Sequence, residues 1–346
     1  MRHSAVTFAR QLHDRLQAKG SEQDRMPWDV LFCTDMLGLA EFLGMCPEAV
    51  RHLPAILYFH ENQLTYPNQQ NDERDLHFAY SNMTTALAAD AVWFNSAYHR
   101  DDFLSALRQL LHRMPDFGHE EAVHDIRNKS TVQPPGIELP ELLKRDGTRS
   151  TRTPGPLRIV WASRWEHDKN PELFFAALGK LSESGVPFEI SVLGESFRRS
   201  PACFARAREQ FSDRIRHWGF AADRCEYFRV LSESDVVVST ARHEFFGISI
   251  LEAVGAGCRP LVPHALAYPE TLGSNSGWFH DGTADGIARE LAGIAGLLNA
   301  RSDSSDTPAD GLQGPSIDRY LWDTRTAELD DSVDSICACH QLSSHG

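Results

Sequence analysis

The chain has 346 residues, 42% apolar and 10% aromatic, and 34 Lys and Arg against 48 Asp and Glu give a net charge of −14. Its length fits about two domains, and its apolar content excludes a disordered or collagen-like chain. The acidic balance argues against a broad phosphate-tracking surface, and with no run of about 18 uncharged apolar residues no membrane helix is expected.

The start, MRHSAVTFARQLHDRLQAKG, is charged every few residues and lacks the apolar stretch of a signal peptide. Residues 2–19 hold Arg2, Arg10, Arg15 and Lys19 against a single Asp14, and read as a helix. Strands are expected at 29–34, 55–59, 91–94 and 131–133, with amphipathic helices over 37–43, 76–89 and 97–113. A polar, Gly/Pro/Ser/Thr-rich stretch at 143–156 reads as a linker. The alternation then resumes. Strands are expected at 158–162, 188–193, 215–218, 236–239 and 260–262, and helices at 171–182, 203–211, 225–231, 248–255 and 284–298. Strands that leave through polar or Gly-rich turns into helices indicate parallel, doubly wound sheets. The expected layout is therefore a first domain over 1–150, a second over 157–300, a low-complexity loop over 301–316, and a helix and tail over 317–346. Seven Cys at scattered positions favour a reducing cytosol over a disulfide framework.

The strongest chemical signal is HEFFGISILE at 243–252, after the strand at 236–239. Glu244 falls in the loop and Glu252 inside the next helix, whose start is marked by Phe246, Gly247 and Ile248. Free N–H groups at a helix N-terminus suit a phosphate or sugar oxygen, and Gly247 leaves that approach open. Glu244 can accept from sugar hydroxyls, and Glu252 from a ribose diol. The second signal is WASRWEHDKNP at 161–171. Arg164 and Lys169 follow the carboxyl end of a strand, where α/β sheets bind ligands, and two cations there neutralise a departing pyrophosphate. Asn170-Pro171 reads as a helix cap and first turn. The third is YFHENQLTYP at 58–67, a polar shelf with His60 near the reacting sugar; Leu64 excludes the HExxH metal motif. Gly194 ends a strand and lets a ligand approach the backbone. Cys337, Cys339 and His340 lack a second pair for a metal site. Each segment also admits a plainer reading as an ordinary solvated turn.

Two tandem doubly wound domains, an Arg/Lys pair early in the second and a Glu-x7-Glu later resemble the retaining GT-B glycosyltransferases, family 4-like, that use nucleotide sugars. YFHENQLTYP, RDLHFAYSNMTTALAADAVWFNS, SRWEHDKNPELFF, VLGESF, HWGF and SDVVVSTARHEFFGISILEAV narrow the resemblance to the tRNA-queuosine α-mannosyltransferase family. It covers about residues 28–270 and returns near 320–323. The resemblance implies an α/β GT-B fold of two Rossmann-like domains facing a cleft. It also implies transfer of mannose from GDP-mannose to queuosine in the anticodon loop of a tRNA (tRNA-Asp type), with retention, in the cytoplasm and without a membrane, cofactor or metal. By the same resemblance, Glu244 contacts the mannose hydroxyls and His60 lines the sugar pocket as catalytic residues. Arg164 and Lys169 hold the pyrophosphate, Glu252 the ribose, and Gly194, Phe246, Gly247 and Ile248 complete the donor site. Family members open with a strand and a Gly-Gly-Ser-His-like loop upstream of the equivalent of Arg2, so the first domain reads as N-terminally truncated. Two alternatives remain at this stage: a GT-B enzyme using another nucleotide sugar and a lipid or small-sugar acceptor, or an inactive nucleotide-sugar- or RNA-binding remnant.

Overall fold

The structure is a computed structural model that describes residues 4–18, 28–65, 76–114, 118–141, 155–195, 201–303 and 313–344. The chain divides into two compact units, Met1–Pro135 with Asp323–Gly346, and Gly136–Trp322. The change of unit thus comes at 135/136. Most of the expected 143–156 linker, the start of the expected first helix, and Tyr66 and Pro67 lie outside the described residues.

The first unit holds a parallel sheet of β1 (Leu31–Thr34), β2 (Ala55–Phe59), β3 (Ala91–Phe94) and β4 (Ser130–Val132), paired in that order. Its helices are α1 (Ser4–Ala18), α2 (Leu39–Met45), α3 (Glu48–Arg51), α4 (Leu76–Ala88), α5 (Ala97–His112) and α6 (Glu120–Asn128). The runs AILYF and AVWF are buried at every position, as expected of parallel strands covered on both faces. Phe59 and Phe94 stack at 4.9 Å and pack with Phe103 of α5 on one face. Ser96 caps α5 by accepting the His99 N–H at 3.0 Å. Ala5 and Ala9 of α1 are buried, which lets this helix lie close, while Phe8 faces outward. The expected 37–43 helix begins at Leu39 instead, after a turn through Gly38, and α3 and α6 were not anticipated.

The second unit contains β5 (Leu157–Ala162), β6 (Phe188–Leu193), β7 (Ile215–Gly219), β8 (Val236–Val238), β9 (Arg259–Pro263) and β10 (Phe279–His280). Its helices are α7 (Pro171–Glu183), α8 (Cys203–Gln210), α9 (Arg224–Ser232), α10 (Ile248–Gly255), α11 (Tyr268–Leu272) and α12 (Ala284–Asp303). The sheet is parallel, in the order β10-β9-β8-β5-β6-β7. Chain order runs outward in both directions from β5, so the boundary between β5 and β8 is the topological switch point. The segment expected as a loop at 301–316 is helical through Asp303, and 304–312 lie outside the described residues.

The last helix, α13 (Trp322–Ser344), returns to the first unit instead of forming a separate tail. Leu329, Val333 and Ile336 cover the second face of the first sheet at Ile56, Tyr58 and Trp93. Arg325 fixes the approach by donating to Pro134 O and Gln133 Oε1, each at 2.9 Å. None of the seven cysteines is joined in a disulfide, and among the described residues no helix is long and apolar enough to cross a membrane.

Candidate active site

The loops leaving β5 and β8 meet at the switch point, and they carry Arg164, Lys169, Glu244, Phe246 and Gly247. Thr240 Oγ1 donates toward Lys169 O and Asn170 O at 2.9 and 3.0 Å, and accepts from Trp161 Nε1 at 3.3 Å. The Arg242 N–H donates to Asp168 O at 2.7 Å. These bonds tie the two loops into one surface. Lys169 is buried there, its Nζ 2.8 Å from His243 O, 3.2 Å from Asp168 Oδ2 and 3.4 Å from Glu244 Oε2. An ammonium has three donors, and three oxygens surround this one.

The other oxygen of Glu244 accepts the N–H groups of Phe246 and Gly247 at 3.4 and 3.2 Å. Two of the N–H groups expected to lie open, those of Phe246 and Gly247 just before the helix, are therefore filled by the glutamate beside them, while α10 itself has no side-chain cap. Gly247 has φ +88°, and a Cβ there would lie 3.0 Å from Cε1 of Tyr268. Ile248, at the first position of α10, is exposed. Tyr268 is itself fixed by a 2.7 Å bond to Ser239 Oγ.

Arg164 is half-exposed, and its guanidinium lies 3.5 Å from Glu166 Oε2. Gly194, at the end of β6, has φ +149°, and a Cβ there would fall 2.0 Å from Ser163 O. Only glycine lets the β5 loop pass this close. Asn170 begins α7 as anticipated, but not by a side-chain cap. Its backbone is left-handed, and its Oδ1 accepts from Arg242 at 3.1 Å.

Glu252 lies about one turn into α10 and is buried. Tyr227 Oη donates to its Oε2 at 2.9 Å, and Arg224 lies 3.4 Å from its Oε1 while donating to Glu138 O at 2.5 Å. Burial raises the carboxyl above its ordinary value, against the opposing pull of Tyr227 and Arg224. The sequence reading missed these two partners. They stand three residues apart on α9, the spacing that aims two side chains at one point.

His60 stands in the first unit, at the carboxyl end of β2, its ring 4.7 Å from that of Tyr58. Burial lowers its value. Its backbone N–H donates to Oδ1 of Asp35 at 3.1 Å, and Asn95 Nδ2 donates to its carbonyl at 3.0 Å. Asp35, buried at the end of β1, was also missed. The rule that picked out Arg164, a polar residue just past a strand's carboxyl end, applies to it equally. Burial, reinforced by nearby Glu61, pushes its carboxyl up to about 6.

The structure thus groups Lys169, Glu244, Phe246 and Gly247 at one point, with Arg164 on the same β5 loop as Lys169 and Gly194 at the end of β6 against that loop. Glu252 is on the same helix with its own partners, and His60 is in the other unit. Among the described residues no three His, Cys, Asp or Glu side chains cluster as a metal site.

Comparison with known proteins adds identity to this geometry. A fly (Drosophila melanogaster) tRNA-queuosine alpha-mannosyltransferase is 36% identical over 250 residues, 70% of this chain and 65% of the fly protein. A GDP-mannose-dependent alpha-(1-6)-phosphatidylinositol dimannoside mannosyltransferase of Mycobacterium tuberculosis is 25% identical over 182 residues, 51% of this chain and 47% of that protein. The chain therefore spans less than two thirds of either relative. Among solved structures, a sucrose-phosphate synthase from Thermosynechococcus elongatus superposes with TM-score 0.63 at 15% identity, covering 98% of this chain and 80% of that one. That likeness carries the fold, which is GT-B. Residues 156–295, which hold the switch-point loops, match the model described as glycosyl transferases group 1. Residues 1–137 match the model described as tRNA-queuosine alpha-mannosyltransferase N-terminal, and with both halves so assigned the chain belongs to the tRNA-queuosine alpha-mannosyltransferase family.

Proposed function

We propose that this chain transfers mannose from GDP-mannose to queuosine in the anticodon loop of a tRNA, with retention of configuration. The observation that carries the reading is the meeting of Lys169 and Glu244 at the β5/β8 switch point, in a unit of the group 1 glycosyltransferase type joined to an N-terminal unit of the queuosine family. Lys169 and Arg164 neutralise the pyrophosphate as it leaves, so no metal is required. Glu244, held by two backbone N–H groups and Lys169, is preorganised to accept from the mannose hydroxyls. Glu252 accepts from the ribose diol, and His60 serves the sugar pocket from the first unit. The GDP-mannose dependence of the mycobacterial relative and the tRNA queuosine acceptor of the fly relative support the choice of substrates. Cysteines outside any disulfide and an RNA acceptor support a cytoplasmic location.

The test is to incubate the chain with GDP-mannose and queuosine-containing tRNA, digest the RNA and analyse its nucleosides. Mannosyl-queuosine with the α-anomer is expected. Transfer to phosphatidylinositol lipids instead would overturn the acceptor, and GDP binding without any transfer would overturn the activity.

A further inference from the structure

The first unit contains a cavity of about 270 Å³ that none of the assigned roles uses. It lies between the loop leaving β2 and one face of α5. Asp102, Ala106, Gln109, Leu110 and Arg113 line it at spacings of four, three, one and three, the spacing of a single helical face. Gln63 and Thr65 form the opposite wall, three and five residues beyond His60. That wall is built rather than loose. The fully buried Asn62 takes the Thr65 N–H and hydroxyl on its Oδ1 at 3.0 and 3.2 Å, and Asn82 Oδ1 accepts the Gln63 N–H at 3.4 Å.

The lining combines two kinds of group. Ala106 and Leu110 offer a flat apolar patch. Gln109 supplies a donor and an acceptor together, Asp102 acceptors and Arg113 donors. An aromatic heterocycle with a hydrogen-bonding edge needs this combination, whereas a lipid chain needs no such polar edge. The volume falls just below the range of about 300–1,000 Å³ for whole ligands, which suits a single base and not a whole nucleotide sugar. RNA loops are read by splaying bases into such recesses. The cavity also lies within the half of the chain that carries the family-specific sequence, while the donor-binding half matches a general glycosyltransferase model.

We propose that this cavity receives one unstacked base of the acceptor RNA's anticodon loop, held at its edge by Gln109 and Arg113. The inference rests on the reading of the chain as a tRNA-modifying enzyme, and the test separates the two. Binding of a fluorescent anticodon stem-loop that carries queuosine is measured by anisotropy for the full chain and for Gln109→Ala, Arg113→Ala and Arg108→Ala, alongside GDP affinity. Arg108 is an exposed cation of α5 outside the cavity lining. Gln109→Ala and Arg113→Ala are expected to weaken stem-loop binding about tenfold each, equivalent to about 1.4 kcal/mol, with GDP affinity unchanged. Arg108→Ala should stay within about twofold, since a lone surface cation contributes only screened attraction. Unchanged binding in Gln109→Ala, or equal losses in Arg108→Ala and Arg113→Ala, would overturn the site. If the parent chain binds the stem-loop but transfers no mannose, a selective Gln109→Ala loss keeps the site while the enzymatic reading falls. If the parent chain transfers normally and Gln109→Ala leaves the KM for tRNA unchanged, the enzymatic reading stands and the site falls.

Discussion

Glu244 does two jobs with two oxygens, one holding the Phe246-Gly247 turn that leads into α10 and the other facing Lys169. Glu244→Gln keeps an acceptor for the Phe246 and Gly247 N–H groups, so circular dichroism and the thermal midpoint should hold. Transfer should fall by roughly 10²–10³, the usual cost of losing one preorganised electrostatic contact. Lys169→Met is different, because it leaves Asp168 and Glu244 facing each other across a site with no cation. Stability should drop by about 3 kcal/mol in a denaturant titration, together with GDP affinity. Asp35 gives a prediction with a definite sign. Its folded-state value, about 6, lies above the ordinary 3.8, so between those values the folded protein holds a proton that the unfolded chain has released. Its contribution to stability is fully present below about pH 4 and is lost as pH rises through 6. Hydrogen exchange at β2 amides should show protection falling between pH 4.5 and 7, by at most about 3 kcal/mol, with Asp35→Asn flattening that slope. An equal slope in the variant would remove Asp35 as its source.

At the scale of elements, the start of α10 depends on Gly247. Its left-handed backbone and the nearness of Tyr268 make Gly247→Ala cost about 1–2 kcal/mol, and transfer should slow with it because Glu244 is capped on that turn. A thermal midpoint equal to the parent's would contradict the strain. The strands and most helices were legible because buried parallel strands show as short apolar runs, as in AILYF and AVWF, and amphipathic helices show their period. Three features were not legible. The destination of α13 was hidden because Leu329, Val333 and Ile336 suit any apolar face, and only the tertiary fold selects the one at Tyr58 and Trp93. The filling of the Phe246 and Gly247 N–H groups by Glu244 was hidden because such groups read as open when the side chain that fills them is not in view. Tyr227 and Arg224 were hidden because an i,i+3 pair on a polar helix face carries no sign of the buried carboxylate it serves. The motifs around Lys169 and Glu244 were readable because ligand sites of doubly wound sheets gather at strand ends near a switch point, and two strand-end motifs fell on β5 and β8.

At the scale of the molecule, the family-specific sequence lies in the first unit and the general glycosyltransferase sequence in the second. The proposed function accordingly places acceptor choice in the first half and donor chemistry in the second. Under the proposal that Lys169 and Arg164 supply the charge at the leaving group, EDTA should leave transfer unchanged, and a strict requirement for a divalent ion would contradict that role. The central claim is that the chain mannosylates queuosine on tRNA through the Lys169–Glu244 site. It is tested most directly by following labelled mannose from GDP-mannose onto two otherwise identical tRNAs, one with queuosine and one with guanine at the modified position, using the parent chain and Glu244→Gln. The account predicts label on the queuosine tRNA alone, with the rate reduced roughly 10²–10³ in the variant. Label on both tRNAs, or equal rates from the two proteins, would contradict it.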